Sequence, residues 1–185
     1  VLYSDNGTLT DYSLEAQMNS DTFLCPLTAT EDYLYVGQYF PFNNLFIDLS
    51  VVNDTASVLG VEYWDGRLWR TGVDLLDATK SGGKTLKKTG IVQWSPDVDF
   101  SWSEISDTSK NNAATELQSV ELYNLFWIRL KASVTLDLTT AIRTIGYRFT
   151  DTGSLLGIDP EINQYLQPCG GGSKNNRGEQ NQIAS

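Results

Sequence analysis

Leu122 to Ala132 is the longest stretch of this chain in which side chains alternate with a period of two. Leu122, Asn124, Phe126, Ile128, Leu130 and Ala132 fall on one side, and Tyr123, Leu125, Trp127, Arg129 and Lys131 on the other. That period belongs to a β-strand, whose successive side chains point to opposite faces of its sheet, and not to a helix. Both sides are largely apolar at the centre, so this strand is expected inside a sheet with both faces covered. Shorter alternations repeat the pattern. Leu45–Val52 puts Ile47, Leu49 and Val51 opposite Asp48 and Ser50, and Val58–Trp64 gathers Leu59, Val61 and Tyr63 on one face. Further strands are expected at Tyr33–Val36, Ile91–Trp94, Val134–Leu138 and Ile142–Phe149. Asp65-Gly66 predicts a two-residue type I′ turn joining Val61–Trp64 to Arg67–Arg70. Helical signals are few: Asp11–Met18, with Leu14 and Met18 four apart, and Pro160–Tyr165, with Pro160 at the first position. About eight strands, with no helix alternating between them, predict an all-β, antiparallel, jelly-roll-like sandwich.

The 185 residues suffice for one domain with its own core. Residues 1–30 are expected as an N-terminal extension, 31–167 as the sandwich, and 168–185 as a flexible polar tail. Cys169-Gly170-Gly171-Gly172-Ser173 has the composition of a linker. The last residues, Glu179 to Ser185, resemble the first turns of a helix that continues beyond them. Residues 97–119, rich in Asp, Ser and Asn, are expected as a long surface loop. Val1-Leu2-Tyr3 is followed by polar residues, with no apolar signal core, and no apolar run is long enough to span a membrane.

The chain contains no histidine. This removes the serine and cysteine nucleophile systems that use a histidine base, the histidine-containing zinc sites and the usual proton shuttle near neutral pH. Two cysteines cannot make a four-thiolate site; Cys25 and Cys169 are expected as free thiols. A net charge of −10 argues against nucleic acid and against an anionic membrane surface as partners. Carboxylate-only enzymes, binding modules and structural proteins survive these exclusions.

Four groups of residues could carry chemistry. Tyr63, Trp64 and Trp69 flank the Asp65-Gly66 turn, followed by Trp94, Trp102 and Trp127. Exposed Trp64, Trp69 or Trp102 lining a groove would make a sugar-stacking platform. The competing expectation is packing, with Trp64 and Trp69 meeting across the turn. Glu62 and Glu121 could serve as a glycosidase pair if they faced one cleft, although most carboxylates of an acidic chain are solvated. Asp97, Asp99, Ser101 and Glu104 alternate as calcium ligands do, without the glycine and the final glutamate of an EF-hand. Gly82-Gly83-Lys84-Thr85 lacks the spacing of a phosphate loop and the helix that should follow it. Asn6-Gly7-Thr8 and Asn53-Asp54-Thr55 match the short glycosylation pattern.

Several stretches, in order, resemble virion structural proteins of tailed bacteriophages: Tyr33-Leu34-Tyr35-Val36-Gly37-Gln38-Tyr39-Phe40-Pro41-Phe42-Asn43-Asn44, Val61-Glu62-Tyr63-Trp64-Asp65-Gly66, Leu68-Trp69, Thr89-Gly90-Ile91-Val92-Gln93-Trp94 and Phe126-Trp127-Ile128-Arg129-Leu130. The likeness covers about residues 33–185. Phe126 stands where those proteins carry Tyr, and Ser173-Lys174 replaces a glycine-lysine pair. The resemblance implies a non-enzymatic β-sandwich of the virion, placed at the neck as a head-to-tail adaptor or decorating the capsid or tail. It further implies homo-oligomers and portal, neck, capsid or tail subunits as partners, with contacts through both termini and the 97–119 loop. No catalytic, metal or cofactor-binding residue is implied. Trp64, Trp69, Trp102, Gly170, Gly171 and Gly172 are the candidate interaction residues. A carbohydrate-binding module on a phage appendage or secreted enzyme is the alternative.

Overall fold

The computed structural model describes residues 1–18, 22–106, 113, 116–121 and 123–146. They form two antiparallel sheets that enclose one apolar core. The first sheet has the order β2 (Thr8–Asp11), β1 (Leu2–Asp5), β4 (Tyr33–Gln38), β11 (Leu125–Ala132), β6 (Leu59–Trp64), β7 (Trp69–Thr71), and β10 (Glu104–Ile105) also pairs with β11. The second has the order β3 (Phe23–Leu24), β12 (Ala141–Gly146), β5 (Asn44–Val51), β9 (Gly90–Ser95), β8 (Val73–Asp77). The chain crosses repeatedly from one sheet to the other, in the jelly-roll-like manner expected. A five-residue helix, α1 (Ser13–Gln17), and a 3-10 turn at Glu116–Ser119 complete the described elements.

The period-two runs account for the core. Leu59, Val61 and Tyr63 from β6 and Ile128, Leu130 and Ala132 from β11 meet Leu45, Ile47 and Leu49 of β5 and Val92 and Trp94 of β9. As expected of the 122–132 run, β11 is a central strand, with β4 on one side and β6 on the other. Its second face is covered too. Tyr35, Trp64 and Trp127 project away from the main core into a separate cluster with Leu2, Ile105, Ala113 and Leu117. The first sheet therefore packs apolar side chains on both faces, the outer one beside the charged Glu62, Arg129 and Lys131, which is why its strands carry so many aromatics.

Close packing on that outer face requires a glycine. Gly37 stands opposite Trp127 in the β4–β11 register. A Cβ there would lie 2.8 Å from the indole carbons Cε2 and Cζ2 of Trp127. Gly37→Ala should therefore cost about 1–3 kcal/mol by overpacking, read as a lower urea midpoint at constant slope. A midpoint within error of the parent would show that the indole yields freely.

Several expectations need correction. Among the described residues twelve strands stand where about eight were expected, because strands of two to four residues such as β1, β3 and β10 are too short to display an alternation. Residues 1–30 are not an extension in their described part. β1 pairs with β4, β3 pairs with β12, and Tyr3, Ala16, Phe23, Cys25 and Leu27 enter the core. Backbone pairing to a neighbour holds these segments where local pattern is weak. α1 lies within the expected helix but buries Ala16, leaving Leu14 and Met18 exposed. Val134–Leu138 is a loop, not a strand; only Leu136 of its apolar residues is buried. The segment 97–119 is not merely a surface loop, since Ile105 and Leu117 are fully buried in the outer cluster. The parts of the expected sandwich and tail beyond Gly146, with Pro160–Tyr165, Cys169 and Gly170 to Gly172, lie outside the described residues.

Candidate functional site

The antiparallel strands bring the loops together at two ends. At one end, the 65–68 turn joins β6 to β7. Trp64 and Trp69 are the last residue pair before it, so the turn spans four residues, not the two expected. Asp65 accounts for the longer form. Its Oδ1 accepts N–H bonds from Arg67 at 2.7 Å and Leu68 at 2.6 Å, and its Oδ2 accepts from Arg70 Nε at 2.5 Å. Burial opposes the charge on Asp65, yet the Leu68 N–H, the Arg70 guanidinium and the Arg67 N–H together hold its carboxyl below the ordinary carboxylate range.

The tryptophans around this turn are packed. Trp64 is 1% exposed, and its ring lies 5.6 Å from that of Trp69, the cross-turn pair expected from the sequence. Trp69 donates its indole N–H to the Ala113 carbonyl at 2.7 Å, and the Arg129 guanidinium lies 4.7 Å from its ring. Trp102 is partly buried among Phe42 at 5.2 Å, Tyr63 at 5.8 Å and Phe126 at 6.0 Å. Trp64 and Trp69 thus form no open stacking platform. The apolar and aromatic side chains that reach solvent at this end are others, chiefly Leu68, Val98, Tyr39 and Tyr123.

Two of the carboxylates singled out in the sequence, Glu62 and Asp97, have structural duties. Glu62 lies on the outer face of the first sheet, where Oε2 accepts from Arg129 Nε at 2.6 Å and Oε1 from Lys131 Nζ at 2.5 Å. Arg129 is in turn stacked 4.2 Å from the Tyr33 ring. Glu62 is thus the shared anion of two cations on this face. Asp97 Oδ1 accepts the Asp99 N–H at 3.0 Å, which makes that pair a turn device. Among the described residues no group of three acidic or thiol side chains is arranged to hold a metal ion. Cys25 is a free, fully buried thiol, and burial pushes its pKa up, so it is chemically quiet.

The other end is built around a polar network that the sequence did not advertise. Asn53 is fully buried. Its Nδ2 donates to the carbonyls of Thr55 at 2.8 Å and Thr85 at 2.9 Å, and its Oδ1 accepts from the N–H of Thr55 at 3.0 Å and of Asp137 at 3.1 Å. Asp137 returns the link by accepting from the Asp54 N–H and from Thr55 Oγ1. Ser57 Oγ donates to the Val134 carbonyl at 2.9 Å, and Ser133 Oγ accepts from the Val58 N–H at 2.9 Å. Loops 52–58, 79–88 and 133–140 are laced into one unit by these bonds. With both amide hydrogens committed, Asn53 cannot carry a glycan in the folded protein; Asn6, by contrast, lies in the exposed β1–β2 turn.

This laced end presents apolar side chains to water. Val52, Val58, Val134 and Leu138 are all exposed, Val58 at 53% and Leu138 at 75%. Beside them, Asp54 bonds Lys84 Nζ at 2.5 Å and Lys87 Nζ at 2.8 Å. Bonds from Lys84 and Lys87 hold the Asp54 carboxyl down at about 2. A depressed folded pKa stabilises above the unfolded value and is lost as pH falls through the folded one, so the contribution of this pair should fade between about pH 4 and pH 2. Carbon-13 NMR titration should find the Asp54 midpoint near 2 in the parent and close to an ordinary aspartate in the double variant Lys84→Met, Lys87→Met. An ordinary midpoint in the parent would show that the lysines do not dwell on Asp54.

The site-bearing features thus divide between an aromatic loop end, an ion-laced outer sheet face and a rigid apolar loop end. No family model, no curated protein and no solved structure matches the chain, so the functional argument stands on its residues and their geometry.

Proposed function

We propose that this chain is a non-enzymatic structural protein of a tailed-phage particle, assembling by protein–protein contact as a neck or head-to-tail adaptor or as a capsid or tail decoration. The observation that carries the assembly role is the laced loop end. Val52, Val58, Val134 and Leu138 are exposed on loops already fixed by Asn53, Asp137, Ser57 and Ser133. Clustered apolar side chains facing water mark contact surfaces. A surface ordered before binding loses little further conformational entropy when a partner covers it. The resemblance of Tyr33–Asn44, Val61–Gly66, Thr89–Trp94 and Phe126–Leu130 to virion proteins supplies the particle. Homo-oligomers are expected because a virion position is filled by symmetric copies.

The test is peptide mass spectrometry of purified tailed virions from the source, with copy number measured against the major capsid protein. A small symmetric number of copies would place the chain at the neck or tail, and a number comparable with the capsid protein would make it a decoration or tube component. Absence from the particle would sink the reading. Within the particle, Leu138→Asp should block incorporation while leaving the thermal midpoint unchanged, because this side chain is largely in water already.

A further inference from the structure

We propose that a cleft beside the aromatic loop end binds a neutral saccharide, at a place separate from Trp64, Trp69 and Trp102. The cleft has a volume of about 520 Å³ and is lined by the start of β1, α1, the end of β4, the turn before β11 and the end of β12. Pockets of roughly 300–1,000 Å³ with an apolar lining and a few polar groups are the usual form of a small-ligand site. This proposal does not depend on a place in the virion.

The lining has the chemistry of a sugar site. Tyr39 and Tyr123 line it and are largely exposed, at 78% and 64%. Each therefore offers a ring face on which the C–H face of a pyranose can lie. Tyr123 and the adjacent Asn124 both have left-handed backbones, with φ of 56° and 54°. Two successive non-glycine residues in that region are costly, and such strain is concentrated where a side chain must be displayed. Gln17, Gln38 and Glu121 also line the cleft, and none of them spends a side-chain polar atom on another described residue. Uncommitted amides and a carboxylate match the donors and acceptors of sugar hydroxyls.

Trp127 also lines the cleft and is only 4% exposed. Its indole nitrogen is buried and unpartnered, as are those of Trp64, Trp94 and Trp102, so its N–H serves as a reporter beneath the cleft and not as a ligand contact. The charge of the lining selects the ligand class. The charged groups of the lining are Asp11, Glu121 and the Val1 ammonium, which donates to Ser13 Oγ at 2.7 Å; the carboxylates outnumber the cation, so a phosphate, sulfate or acidic sugar is disfavoured.

The experiment follows the tryptophan indole N–H resonances of the full chain by NMR, with the Trp127 signal assigned through Trp127→Phe. The probes are glucose, galactose, mannose and N-acetylglucosamine, then maltotriose, cellotriose and chitotriose, with arginine amide as a cationic control. At least one sugar should shift the Trp127 signal saturably. Tyr39→Ala and Tyr123→Ala should each weaken that sugar by about tenfold, the worth of one aromatic contact, with the thermal midpoint unchanged. The proposal is overturned if no sugar saturates the signal, if both tyrosine variants bind as the parent does, or if only arginine amide shifts it.

Discussion

Trp64→Ala is expected to cost about 3–5 kcal/mol of stability and to lower the thermal midpoint by roughly 6–20 °C. Trp64 is among the largest fully buried side chains of the molecule and packs with Tyr35, Trp127, Ile105 and Leu117 in the outer cluster. Its indole N–H has no partner, so the substitution removes apolar contacts and leaves a cavity without breaking a hydrogen bond. The loss is a large share of the roughly 5–15 kcal/mol that holds a domain together. Trp69→Ala should cost less, because its ring is only partly buried, although the bond to Ala113 goes with it. Urea unfolding of both variants checks the order. A Trp64→Ala protein as stable as the parent would place this side chain outside the core and reopen it as a contact residue.

The second large effect is expected at Glu62. Glu62→Ala removes the carboxylate shared by Arg129 and Lys131 and leaves the Arg129 guanidinium largely covered, between the rings of Tyr33 and Trp69. Breaking a buried pair from one side costs about 3–5 kcal/mol. Here about 2–3 kcal/mol is expected, since Lys131 is 43% exposed and can turn to solvent, while the two rings continue to hold Arg129. The double variant Glu62→Leu, Arg129→Leu should recover most of that loss, because an apolar pair in this place leaves no charge stranded. Equal losses in the single and double variants would show that Arg129 acts through its ring contacts and not through Glu62. Single and double variants, measured by urea midpoint, separate the two accounts.

Much of the sandwich was legible along the chain because β-strand periodicity is a local property. The runs 45–52, 58–64 and 122–132 name the strands β5, β6 and β11, and their inward residues are those the alternation selects. The doubly apolar centre of the last run also foretold a central strand. The pairing of Trp64 with Trp69 followed from their positions around one turn. The turn itself was misjudged, because Asp65 captures two backbone N–H groups and an arginine, and those partners depend on where Leu68 and Arg70 arrive.

The candidate sites were less legible, for a physical reason. Asn53 reads as a glycosylation acceptor in sequence, yet its partners Thr85 and Asp137 are 32 and 84 residues away, and only folding brings them to its amide. The same holds for the cleft, where Gln17, Gln38 and the stretch from Glu121 to Trp127 come from three separate segments. Composition alone determined that histidine chemistry is absent and that the surface is acidic; periodicity determined an antiparallel all-β chain and most of its inner face. Which tryptophans are buried, how residues 1–18 and 22–30 join the two sheets, and which polar groups remain uncommitted were decided by tertiary packing, because each depends on contacts between residues that no local pattern relates.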